Sequence, residues 1–60
     1  MLTLVSTDPI QQDENGVYFV RAYFTNSNGD ELNTGLPVSG ASATQDEINS
    51  AIAVYESMNT

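Results

Sequence analysis

The stretch Thr25-Asn26-Ser27-Asn28-Gly29-Asp30-Glu31-Leu32 (TNSNGDEL) lies between two apolar runs, and the way the chain reverses there decides which side chains form the core. Upstream, Val17-Tyr18-Phe19-Val20-Arg21-Ala22-Tyr23-Phe24 is dense in aromatic and β-branched residues and reads as a central strand. Its even positions are all apolar or aromatic, whereas its odd positions include Arg21, the only base in the chain. A two-residue reversal about Asn28-Gly29 pairs Thr25 with Leu32 and Arg21 with Leu36, so the next strand's leucines fall on the arginine's face. A three-residue loop, Ser27 to Gly29, is a type I turn closed by a glycine in the left-handed region as a G1 bulge. It pairs Phe24 with Leu32 and Val20 with Leu36. Asn26 at the first turn position and Gly29 at the fourth are the residues that turn favours. The bulged reversal is therefore the reading adopted.

Asp13-Glu14-Asn15-Gly16 repeats the pattern. Applied there, the same turn pairs Gln12 with Tyr18 and Ile10 with Val20. Leu2 and Leu4 then join the even face if the first strand is continuous, although Asp8-Pro9 predicts a bend or bulge within it. Downstream, Ile48, Ala51, Ile52, Tyr55 and Met58 follow helical spacing, with Val54 at the border of the stripe. Thr44 with Glu47 matches a capping box, and Asp46 and Glu47 suit the positive end of a helix. The expectation is an α+β fold: a single domain over residues 1–60, with a three-stranded antiparallel β-meander and one C-terminal α-helix packed on one sheet face. Its expected core is Leu2, Leu4, Tyr18, Val20, Phe24, Leu32, Leu36, Ile48, Ile52 and Tyr55.

A chain of 60 residues buries only about 60% of its unfolded surface, so it gains from a partner or from self-association. It has no Cys and no His, which removes disulfides, thiolate zinc sites, the usual catalytic base and the commonest metal ligand. No cofactor and no small-molecule substrate are expected. The net charge of −7 disfavours attraction to a nucleic-acid backbone or an anionic membrane. No run approaches the roughly 20 apolar residues of a membrane span, and no signal-peptide pattern is present. The chain is expected to be cytoplasmic at synthesis, with a virion as the alternative location, and not secreted.

Chemistry-bearing motifs are sparse. Asp13-Glu14 and Asp30-Glu31 belong to turns, where adjacent acids are solvated rather than aimed at a common proton. Asn26 to Glu31 resembles the start of a calcium loop, but Glu31 stands where that loop needs Gly and Pro37 where it needs the bidentate Glu. The chain is read as non-enzymatic.

The helix leaves the odd sheet face open, and Val17, Phe19, Arg21 and Tyr23 on it form the candidate partner-binding set. Aromatics beside an Arg match the composition of interface cores, although such residues also support cross-strand pairing alone, with Arg21 in a charge pair to Glu31 or another nearby carboxylate. The expected function is a small acidic structural or assembly protein, such as a virion decoration or tail component, that binds a protein partner or forms a homo-oligomer. The alternative is an acidic inhibitor that mimics nucleic acid. Mimicry wants a regular carboxylate array, and the two turn pairs lie roughly 25 to 30 Å apart at about 3.3 Å per residue.

Overall fold

The computed structural model describes residues 1–59. Its elements are β1 (Thr3–Thr7), β2 (Gln11–Gln12), β3 (Tyr18–Thr25), β4 (Glu31–Pro37) and α1 (Gln45–Met58). The fold is α+β, with four strands where three were expected. β1 and β2 both pair antiparallel with one side of β3, and β4 pairs with the other. The meander survives with its first strand cut in two at Asp8-Pro9-Ile10.

Both hairpin ends of β3 carry the bulged turn. Gly16 and Gly29 each have φ +84°, a backbone region that costs glycine nothing. At the second turn Gly29 N–H donates to Asn26 C=O and Asn26 N–H to Asp30 C=O, both at 3.0 Å. At the first, Gly16 N–H donates to Asp13 C=O and Asp13 N–H to Val17 C=O at the same distance. The turn-opening side chains match as well: Asp13 Oδ1 accepts from Asn15 and Val17 N–H, and Asn26 Oδ1 from Asn28 and Asp30 N–H. The resulting register pairs Phe24 with Leu32, Val20 with Leu36 and Gln12 with Tyr18.

The first strand departs from expectation in an instructive way. Leu4 pairs with Phe24 but Ser6 with Tyr23, so an extra residue is accommodated at Val5. A second is accommodated between Thr7, paired with Ala22, and Gln11, paired with Phe19. Each insertion alone would exchange the faces of everything beyond it. Together they restore parity, which is why Leu2 is buried despite the break. The expected pairing of Ile10 with Val20 is lost to the second insertion, since Ile10 lies outside both strands.

The buried apolar residues are Leu2, Val20, Ala22, Phe24, Leu36 and Ile52, with Leu32, Ile48, Ala51 and Tyr55 half-buried around the core cluster. The Phe24 and Tyr55 rings meet at 5.1 Å, tilted by 34°. Leu4 is 39% exposed, contrary to its expected core place, because it sits on the edge strand while the helix lies nearest β4. Tyr18 is only half-buried, and Met58 is 77% exposed at the last turn of the helix.

Thr44 caps α1 through Oγ1, which accepts the Glu47 N–H at 3.2 Å. The Glu47 carboxylate takes a different partner from the one a capping box supplies. It accepts the Ser39 N–H at 2.6 Å and the Ser39 hydroxyl at 2.8 Å, tying the loop after β4 to the first helical turn.

Candidate functional site

The odd face brings Phe19, Arg21 and Tyr23 into one row along β3, as alternation on a strand requires. Each is engaged within the chain. Phe19 lies against Gly35, where an added Cβ would stand 3.3 Å from its Cδ2, so glycine at that position makes room for the ring. The Arg21 guanidinium lies 5.8 Å from the Phe19 ring centroid, in cation–π range, and its Nη1 donates to Asn33 Oδ1 at 2.8 Å. Its hydrogen-bond partner is thus an amide oxygen rather than the carboxylate that the cross-strand alternative gave it. Asn33 stands diagonally across β4 from Arg21, since Arg21 pairs with Gly35 and Tyr23 with Asn33.

Tyr23 donates its hydroxyl to Asp8 Oδ2 at 2.7 Å. That hydrogen bond to a carboxylate is the main cause that holds the phenol above its ordinary pKa of 10.0, with partial desolvation adding to it. Asp8 reaches this position because its own N–H donates to Arg21 C=O, which continues the β1 ladder past the strand's end. Val17 sits at the mouth of the first turn and is 48% exposed. With Asp13, Phe19, Arg21, Gly35 and Pro37 it borders a shallow hollow of about 340 Å³.

A second apolar surface, missed in the sequence reading, lies on the other side of the sheet. Leu36 and Pro37 of β4 and Ser50, Ala51, Val54, Tyr55 and Met58 of α1 line an open groove of about 330 Å³. Val54 is 60% exposed there. The signal was its place at the border of the helical stripe: a helix whose apolar arc is wider than the sheet beneath it overhangs the edge strand. The odd face is therefore not the sole apolar surface left by helix docking.

Among the described residues, the carboxylates of Asp8, Asp13 and Glu47 serve internal bonds: Asp8 with Tyr23, Asp13 within its turn and Glu47 with Ser39. Among the described residues no group of three or more acidic side chains comes together as a metal site, and no helix is long and apolar enough to cross a membrane. No family model, curated protein or solved structure matches the chain.

Proposed function

We propose that this protein is a small acidic structural component that assembles onto other protein chains. The observation that carries this reading is the balance of apolar surface. Among the described residues, Val5, Val17, Val54 and Met58 stay largely exposed in a domain whose buried core is only six apolar residues. A fold so lightly buried gains from covering a second face. A virion decoration or tail component is the kind of role that needs nothing more than such faces and open strand edges.

Mimicry of nucleic acid draws less support. Asp8, Asp13 and Glu47 are each tied to a different internal partner by turns and loops, which takes these three out of any phosphate-like array.

The test is capture of the natural partner by two variants, Phe19→Ala/Tyr23→Ala and a set neutralised at Glu14, Asp30 and Asp46, which spares the bonded acids Asp13 and Glu47 and the β4 residue Glu31. The sedimentation mass is measured across a salt series alongside. Assembly predicts loss of capture in the aromatic variant and a mass that salt does not change. Loss confined to the neutralised set, fading steeply with salt, would discard the assembly reading.

A further inference from the structure

The two outer edges of the sheet differ. Along β1 and β2 the ladder is interrupted twice, at Val5 and around Pro9, and irregularities of that kind discourage another strand from pairing. Along β4 the register runs unbroken from Thr25 paired with Glu31 to Phe19 paired with Pro37. The bonds that close its ends, Asn26 N–H to Asp30 C=O and Val38 N–H to Tyr18 C=O, fix which groups of β4 turn inward. By antiparallel alternation, Leu32, Thr34 and Leu36 bond to β3, while the N–H and C=O groups of Glu31, Asn33 and Gly35 face the open edge. Pro37 also faces outward, so its missing N–H costs the sheet no bond and marks where the free edge ends.

This edge and the groove are neighbours. A strand added about 4.8 Å outside β4 would turn alternate side chains toward the overhanging flank of α1, onto Ala51, Val54 and Met58. Its other side chains would stand beside Glu31 and Asn33. Charge selects the occupant. A second copy would bring the same net charge of −7 against this one, whereas basic residues on the face away from α1 stand beside Glu31, in a domain with a single base of its own.

We infer that the β4 edge and the α1 groove form one strand-addition site for an extended segment of a partner protein in which apolar residues alternate with Lys or Arg. The inference rests on the assembly reading and names its partner's chemistry.

The test titrates the isotope-labelled full chain with a peptide of alternating valine and lysine as long as β4, seven residues. Three comparisons accompany it: a glutamate-for-lysine peptide, a peptide N-methylated at the amides facing β4, and the protein variant Val54→Asp. Expected are slowed hydrogen exchange at Asn33 and Gly35 N–H and affinity reduced about tenfold or more in each comparison. Because the N-methylated peptide meets the unaltered protein, a misfolded variant cannot imitate the result.

Binding that leaves those amides unprotected, or that ignores N-methylation, would reduce the contact to charge alone and overturn the site. Protection that rises with protein concentration in the absence of peptide would hand the edge to a second copy instead. No binding at all would also overturn the site, while the aromatic-variant capture experiment would still judge the assembly reading separately.

Discussion

Replacing Gly29 with L-alanine and with D-alanine separates backbone strain from packing. Gly29 has φ +84°, and an L-residue's Cβ added there meets no atom within 4 Å, so the L-alanine methyl makes no contact. Both substitutions restrict the unfolded chain equally, a gain of about 0.4–1 kcal/mol. Only the L-residue is disfavoured in the left-handed region, by about 1–2 kcal/mol. L-alanine should therefore destabilise the fold slightly and D-alanine stabilise it, and the gap between them is the left-handed penalty itself. The chain is short enough for chemical synthesis, and urea unfolding followed by circular dichroism reads the result. At a slope of about 1 kcal/mol/M the two midpoints should differ by about 1–2 M. Coincident midpoints, or an L-alanine variant that outlasts the D-alanine one, would refute the bulged turn and with it the register of β4. Gly29→Val should be worse than L-alanine, since a β-branched residue resists positive φ further.

Three other perturbations probe the rest of the molecule. Ile52→Ala, inside the core, should cost about 2–5 kcal/mol in denaturant unfolding, whereas Val54→Ala on the open groove should stay within about 0.5. Thr44→Ala should cost about 0.5–2 kcal/mol through the lost cap. Glu47→Gln should instead show its effect locally, as faster hydrogen exchange at Ser39 N–H, because an amide offers one acceptor where the carboxylate offers two. The Tyr23 phenol, held above its ordinary value by Asp8, contributes stability below the unfolded tyrosine range and loses it as pH rises through its folded value. Phenolate absorbance should show its ionisation moving to lower pH in Asp8→Asn, and an unchanged titration would deny the Asp8 contact.

The parts of the fold that could be read from the sequence are those encoded within a few residues. Asn26 and Gly29 specify their turn locally, and the parity of the flanking leucines then selects one register. The helix is similarly written in its stripe and in Thr44. What escaped depends on tertiary fit. The insertion at Val5 has no local marker, and the exposure of Leu4 follows from where the helix comes to rest, toward β4. Ser39 became the partner of Glu47 only because the intervening loop folds back on the helix. On the candidate site, alternation placed Phe19, Arg21 and Tyr23 on one face, but not their ties to Gly35, Asn33 and Asp8, since these join separate strands. The groove beside Val54 needed the offset between helix and sheet, which no spacing of apolar residues states.

The two matching turns at the ends of β3 have a consequence for the order in which the chain folds. Each closes through bonds spanning three or four residues, so each can form before any distant segment arrives. Short loops of this kind carry the smallest closure entropy, and β3 can be zipped from either end. The pairing of Thr3 with Thr25 must instead close the longest loop in the sheet, and the segment between them is interrupted at Pro9. Mutations in the Asn26 to Asp30 turn should therefore slow refolding, while those in β1 should mainly speed unfolding. The N-terminal strand is then the part of this protein that opens first and closes last.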